Sequence, residues 1–191
     1  MSDQPLFDTY RERGKFGEFA FGLLDAIDFA AEKHHKRRRK DLGASLQIQH
    51  CLAVALLLLV DGEDELLVLK AAILHDILDA TRTKSWQVAE MFSTDVTQLV
   101  LLVTERELDE KERLAKGRAA PGAVMLRRAD LIKKAVATCR LRKMTRRPPV
   151  DWSVRRLRAY FDCTKKAVDG LTPVGGPWLQ YQFEFAFASR P

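Results

Sequence analysis

Cysteine is scarce in this sequence, and the three that occur lie far apart. Cys51, Cys139 and Cys163 include no pair at the short spacing of a zinc knuckle or a redox-active dithiol. An odd and dispersed set of this kind fits a reduced environment. We therefore expect free thiols and a cytoplasmic protein.

Long hydrophobic runs and a signal peptide are also lacking. The longest apolar run, Cys51–Val60, has about half of the roughly 20 residues that a membrane-spanning helix needs. The first residues, Met-Ser-Asp-Gln-Pro, do not form the basic and then apolar segment of a signal peptide. We expect no partner inside a membrane, and predict that Cys51–Val60 forms a buried core helix.

The sequence has no convincing strand-like alternation, no internal repeat and no low-complexity tract. Apolar residues instead recur at three- and four-residue steps, which predicts an all-α fold. Helices are predicted, in chain order, at residues 18–35, 48–60, 63–79, 84–91, 96–103, 123–140, 152–168 and 178–187. The third is so apolar that we expect it to lie centrally. The polar stretch 105–118 fits either a solvated helix or a loop over a ligand.

Length and composition favour one folded domain that spans residues 1–191, because a domain typically has roughly 100 to 200 residues. A hydrophobic content of 47% excludes wholesale disorder. The net charge of +6 fits an anionic partner, which could be nucleic acid, a membrane surface or a phosphorylated small molecule. Much of this charge lies in residues 36–40 and 127–147. Charge alone does not choose among these partners.

One dipeptide stands out as a candidate for chemistry: His75-Asp76, inside the apolar third helix. An ionisable pair in such a helix costs several kcal/mol unless it is paired or holds a metal. A core histidine beside an exposed aspartate is the simpler alternative. His50 and Asp130, on two other predicted helices, could complete a set of two imidazoles and two carboxylates. That set suits manganese, iron or zinc better than calcium.

A series of motifs follows one another along residues 26–171: Ala26-Ile27-Asp28-Phe29-Ala30-Ala31-Glu32-Lys33-His34, Arg38-Arg39-Lys40-Asp41, Ile48-Gln49-His50, Ala71-Ala72-Ile73-Leu74-His75-Asp76, Leu102-Val103-Thr104, Pro121-Gly122-Ala123, Ala129-Asp130 and Tyr160-Phe161. In their order and spacing these motifs resemble those of a known family, the HD-domain phosphohydrolases. The chain resembles in particular the small alarmone hydrolases of the RelA/SpoT and metazoan Mesh type.

The resemblance implies an HD-domain helical bundle, with a core of about residues 16–171 and a C-terminal extension, 172–191. It also implies a divalent metal, usually manganese, and a phosphorylated guanine nucleotide as substrate. The implied metal ligands are His50, His75, Asp76 and Asp130. The Arg39-Lys40 pair would meet the phosphates and the base of the substrate, and Tyr160 would pack near the nucleotide. Without the resemblance, the basic run around Arg39 reads equally well as a solvated surface.

The sequence departs from this family beside the proposed metal. Active alarmone hydrolases carry a Glu-Asp pair that is thought to position and activate the attacking water, whereas this chain has Asp79-Ala80. Asp79 is therefore the candidate for the remaining acid–base function. Lys134 replaces a family asparagine and would add positive charge near an anionic ligand.

Two functions follow from these observations. The first is a metal-dependent pyrophosphohydrolase that removes the 3′-diphosphate of guanosine tetra- or pentaphosphate, or acts on a related phosphorylated nucleotide. The alternative is a catalytically weakened relative that binds metal and nucleotide as a sensor or interaction module. Nucleic acid is disfavoured as a partner, because no recognition motif or aromatic platform accompanies the basic residues. The segment Trp178–Phe187 could pack on the domain or contact a partner.

Overall fold

The computed structural model describes residues 4–35, 46–104 and 121–191, and the side chains of the first helix from residue 14 onward. The described residues form helices without an extended strand, so the all-α prediction is confirmed. In chain order the helices are α1 (Gln4–Lys33), α2 (Gln47–Val60), α3 (Leu66–Leu74), α4 (Ile77–Ala80), α5 (Ser85–Met91), α6 (Thr94–Thr104), α7 (Ala123–Arg146), α8 (Val154–Asp169) and α9 (Pro177–Ala188). None of these helices is long and apolar enough to cross a membrane.

Helix α3 lies at the centre of the fold, as its apolar sequence predicts. It packs against α1, α2, α6 and α7. From Val68 to Leu74 every residue except Lys70 is buried. The surrounding helices contribute buried residues to the same cluster, including Ala26, Val54, Leu99 and Ile132. This core fixes the C-terminal end of α3, where His75 and Asp76 follow.

The prediction of one continuous helix over 63–79 is wrong, because α3 ends at Leu74 and α4 begins at Ile77. His75 and Asp76 form the turn between them. The Nδ1–H of His75 donates to the carbonyl oxygen of Ala72 at 2.8 Å. In a continuous helix that carbonyl would accept from the backbone N–H of Asp76. The side chain thus competes with the backbone for the same acceptor, which ends the helix.

Helix α2 is only half buried, which corrects the expectation of a fully buried core helix. Its inner face holds Val54 and Leu58 in the core. Its outer face exposes Leu56, Leu59 and Val60, at 60%, 37% and 57% of their surface. The apolar run therefore supplies both a core face and an exposed apolar face.

Two other boundaries differ from the sequence prediction by six residues or more. Helix α1 begins at Gln4 rather than at residue 18, and α7 continues to Arg146 rather than ending at Arg140. No helix breaker interrupts α7 before Pro148, and the basic residues of its last turn interact favourably with the C-terminal end of the helix dipole.

Helix α9 packs on α7, so the segment Trp178–Phe187 packs on the domain. Leu179 joins the main core, and Phe183 and Ala186 form a second cluster with Leu141 and Phe161. Asp61, just after α2, accepts the backbone N–H of Gly176 at 2.6 Å and that of Leu179 at 2.8 Å. A Cβ atom at Gly176 would lie 2.8 Å from Asp61 Oδ1, so the close approach requires glycine. Asp61 therefore caps α9 from a distant part of the chain.

We predict that Asp61→Ala lowers the free energy of unfolding by about 1 to 2 kcal/mol, the effect of losing a helix cap. Two backbone N–H groups at the start of α9 lose their acceptor in this variant. Urea unfolding followed by circular dichroism measures the change. Asp64→Ala, which removes an exposed acid three residues away, should change stability little. Equal losses in the two variants would exclude the capping role.

Candidate metal centre

Three of the four predicted metal ligands converge in the structure. His50 on α2, with His75 and Asp76 from the turn after α3, each offer a ligand atom within 4.8 Å of the others. The two imidazole rings lie 5.2 Å apart between centroids, at 77°. Nε2 of His75 lies 3.9 Å from Oδ2 of Asp76. Both histidines are buried, whereas Asp76 is partly exposed.

The hydrogen bonding of His75 suits a metal ligand. Its Nδ1–H donates to the Ala72 carbonyl, so in the neutral ring the lone pair lies on Nε2, the nitrogen nearer Asp76. A carbonyl that accepts the other ring N–H of a ligand histidine fixes the tautomer and the ring orientation in many metal sites. The hydroxyl of Thr104 lies between two backbone oxygens, 2.7 Å from that of Val100 and 3.0 Å from that of His75, and shares its one proton between them. Two imidazole nitrogens and one carboxylate oxygen fit manganese, iron or zinc and leave coordination positions for water and substrate.

Two side chains that the sequence analysis missed contact the Asp76 carboxylate. The amide Nε2 of Gln47 donates to Oδ2 of Asp76. Arg140 Nη2, on α7, lies 3.8 Å from Oδ1. Gln47 directly precedes the Ile48-Gln49-His50 motif, which is the one sequence signal that could have indicated it. Arg140 meets Asp76 only through the packing of α7, so no local pattern predicts the contact.

Asp130, the fourth predicted ligand, does not join this group of three. It is buried on α7, and its Oδ2 accepts the backbone N–H of Thr172 at 3.1 Å and the Thr172 hydroxyl at 2.9 Å. These two hydrogen bonds connect Asp130 to Thr172, at the start of the C-terminal extension. Its assignment as a metal ligand stays a prediction.

Of the predicted nucleotide-binding residues, the structure describes Lys134 and Tyr160, which lie in two different environments. Lys134 is buried, and its ammonium donates to Val174 O at 2.8 Å and to Gln180 Oε1 at 2.6 Å, so it holds the C-terminal segment. The Tyr160 ring packs edge-on against Trp152, 5.5 Å away, beside the second cluster. Arg39 and Lys40 lie outside the described residues. Asp79 is exposed on α4, and the neighbouring Ala80 is half-buried.

Burial of Lys134 lowers the pKa of its ammonium below the ordinary 10.5, although Asp61 and Glu184 partly oppose the shift. The unfolded chain then holds this proton more tightly than the folded one, so stability rises as the pH approaches 10.5. We predict that Lys134→Met removes this contribution. Urea unfolding at about pH 8 and about pH 10 should show wild type gaining stability relative to the variant. Lys133→Met, one residue away on α7, is the control and should leave the pH dependence unchanged.

A model of the HD domain matches residues 26–156, which carry His50, His75, Asp76 and Asp130. The chain belongs to the HD domain family. The all-α bundle described above is therefore an HD-domain fold.

Curated relatives of this HD domain carry the name guanosine-3′,5′-bis(diphosphate) 3′-pyrophosphohydrolase MESH1. The human protein is 36% identical over 162 residues, which cover 81% of this chain and 87% of the relative. The mouse protein is 35% identical over the same shares, and the Drosophila melanogaster protein is 34% identical over 78% of this chain and 84% of its own. The resemblance to small alarmone hydrolases is confirmed.

A solved structure is also similar to this HD domain. It is described as a metazoan ortholog of SpoT that hydrolyses ppGpp and plays a role in starvation responses. The two share 32% sequence identity with a TM-score of 0.74, over 88% of this chain and 95% of the other.

Proposed function

We propose that this HD domain is a metal-dependent pyrophosphohydrolase that removes the 3′-diphosphate of guanosine tetra- or pentaphosphate or of a related phosphorylated nucleotide. The observation that carries the proposal is the convergence of His50, His75 and Asp76 within 4.8 Å. The relatives that are about one-third identical bear the name of this activity. We infer that residues 1–191 act as one cytoplasmic domain.

The proposed metal is manganese, held by His50, His75, Asp76 and Asp130. Asp130 is included because both of its hydrogen bonds to Thr172 use Oδ2, so a second carboxylate oxygen is not used by Thr172. A bound divalent ion supplies Lewis acidity for phosphoryl oxygens and lowers the pKa of water. The nitrogen and oxygen donors of this set are those that manganese accepts.

The remaining steps belong to side chains of the protein. Arg39 and Lys40 would hold the substrate phosphates, since a guanidinium and an ammonium both pair with phosphate oxygens. Lys134 would add positive charge, and Tyr160 would pack near the nucleotide. Asp79, exposed on α4 three residues after Asp76, would accept a proton from the attacking water.

The direct test is hydrolysis of guanosine tetraphosphate by the purified protein loaded with manganese. Chromatography of the nucleotide and a pyrophosphate assay measure the two products. We expect guanosine diphosphate and pyrophosphate in equal amounts. If neither this nucleotide nor its pentaphosphate releases pyrophosphate, while a control hydrolase cleaves both, the proposed reaction is wrong.

Ala80 favours a second function, in which the domain binds nucleotide and metal as a sensor or interaction module. A methyl group stands where active relatives of the family are expected to carry a carboxylate, and Asp79 is one methylene shorter than glutamate. Such losses reduce proton transfer without removing binding groups. Calorimetry that shows tight, saturable binding of guanosine tetraphosphate with negligible turnover would support this function over the first.

A further inference from the structure

Gln47 is a buried polar side chain beside the candidate metal centre, and none of the ligand motifs assigns it a role. It lies in the first turn of α2 and is only 8% exposed. It precedes His50 by three residues, and residues at this spacing lie on the same face of a helix. Helix α2 therefore presents two groups to the centre, the imidazole of a candidate ligand and an amide that donates hydrogen bonds.

The amide of Gln47 holds one particular oxygen of the Asp76 carboxylate. Nε2 of Gln47 donates to Oδ2 of Asp76, across 29 positions of sequence. The same Oδ2 lies 3.9 Å from Nε2 of His75, the ring nitrogen that carries the lone pair in the neutral ring. A carboxylate oxygen has two lone pairs, so Oδ2 can accept from the amide and also bind a metal ion. Gln47 thus orients the Asp76 oxygen that lies near a second candidate ligand.

Asp76 needs such a partner because it lies in a turn rather than inside a helix. The turn links α3 to α4, and the Asp76 side chain keeps 17% of its surface exposed. A side chain in this position has several staggered rotamers, and each one moves the carboxylate relative to the two imidazoles. Holding one rotamer before the ion arrives lowers the ordering cost of binding. Hydrogen bonds to ligating carboxylates have this function in many metal sites.

The two partners of Asp76 differ in charge, which separates their effects on a bound cation. Gln47 is neutral, so its amide orients the carboxylate without repelling a divalent ion. Arg140 is positively charged, and its Nη2 lies 3.8 Å from Oδ1, which is beyond hydrogen-bond distance. The Arg140 side chain is also 41% exposed. Its charge opposes a cation at the same carboxylate, so loss of Gln47 and loss of Arg140 should shift metal affinity in opposite directions.

We propose that Gln47 is a positioning residue of the metal centre, which holds Oδ2 of Asp76 toward the divalent ion through a neutral hydrogen bond. This inference rests on the metal centre of the proposed function. It does not rest on hydrolysis, because neither Gln47 nor Asp76 needs a nucleotide for this contact. Gln47 affects turnover only through the fraction of protein that holds metal.

Titration calorimetry of the full chain with manganese tests the proposal. Gln47→Met keeps the length of the side chain and removes the donor, so it should weaken manganese binding by about 10- to 100-fold. Gln47→Asn keeps an amide but is one methylene shorter, and it should weaken binding because its donor no longer reaches Asp76. Arg140→Met removes a positive charge and should tighten binding by about three- to tenfold.

The matched control is Gln98→Met on the exposed face of α6, which should leave manganese affinity unchanged. Circular dichroism checks that each variant is folded. Arg140→Met replaces a half-exposed side chain, so it remains informative even if a change at the buried Gln47 impairs folding. Weaker binding in Arg140→Met would show that the guanidinium, rather than the amide, holds Asp76, and it would overturn the proposal. Wild-type affinity in Gln47→Met would also overturn it.

Turnover measured against manganese concentration separates positioning from a direct role in the reaction. Gln47→Met should recover the wild-type rate once manganese saturates its weakened site. A loss of rate that saturating manganese does not restore would overturn the positioning role. If the wild-type protein binds manganese but releases no pyrophosphate, the proposed function is refuted, and weaker binding in Gln47→Met still supports the role of Gln47.

Discussion

Replacing His75 with alanine is expected to abolish retention of the divalent metal and to lower pyrophosphate release by about a thousandfold or more. The imidazole is one of three ligand groups that meet within 4.8 Å, and its Nδ1 is already engaged with Ala72. Loss of a group that only hydrogen-bonds a metal ligand weakens metal binding by about 10- to 100-fold, so loss of a ligand itself should exceed that range. Elemental analysis and an assay of pyrophosphate measure the two effects.

His34→Ala provides the matched control for this variant. His34 is buried to a similar extent, at 2% exposed against 3%, but lies beside Cys51 Sγ rather than in the cluster. Both variants remove a buried imidazole, so their effects on thermal stability should be comparable. Only His75→Ala should lose the metal. If both proteins retain metal equally, His75 is not a ligand and the centre has been assigned to the wrong residues.

Restoring the family carboxylates through Asp79→Glu and Ala80→Asp is expected to raise turnover by about 10²- to 10⁴-fold, the usual effect of a general acid or base. Asp79 is exposed and Ala80 is half-buried on the short helix α4, so neither change replaces a fully buried side chain. Because a catalytic group displaced by about 1 Å can lose about a hundredfold in rate, the longer glutamate matters as well as the added aspartate. Steady-state rates with guanosine tetraphosphate measure the gain.

The single variants and Ala80→Asn identify the origin of that gain. Asparagine has nearly the shape of aspartate without its charge, so Asp79→Glu with Ala80→Asn should recover only the part due to glutamate. A chain that is a sensor by virtue of Ala80 should become an enzyme with both carboxylates restored. No increase in rate from the full double change would show that the alignment at Asp79 is wrong.

Sequence periodicity was sufficient for the helical architecture because a helix that buries one face must repeat its apolar residues every three or four positions. The same periodicity failed at the end of α3, where His75 takes the Ala72 carbonyl from the backbone. The spacing of apolar residues does not indicate that a side chain will compete with the backbone for a carbonyl oxygen. The exposed face of α2 is not predicted for a related reason. A run that is apolar on all sides of a helix does not indicate which side packs against other helices and which side faces solvent.

The residues of the candidate site also differ in whether the sequence predicts them. His50, His75 and Asp76 could be named from residue type and motif order, since they lie on helices whose packing brings them together. Gln47 and Arg140 around Asp76 depend on tertiary contacts without a local signature. Lys134 was expected near a nucleotide, yet its ammonium contacts Val174 and Gln180, 40 and 46 residues away in the sequence.

The hydrogen bond from the Gly176 N–H to the Asp61 carboxylate joins residues that are 115 positions apart in the sequence, which matters during biosynthesis. At about 5 to 20 residues per second, the ribosome adds Gly176 roughly 6 to 23 s after Asp61. During that interval the nascent chain has no Leu179 or Phe183 to cover the apolar surfaces that these side chains later bury. Vectorial synthesis thus leaves a period of seconds in which those surfaces are open to a chaperone.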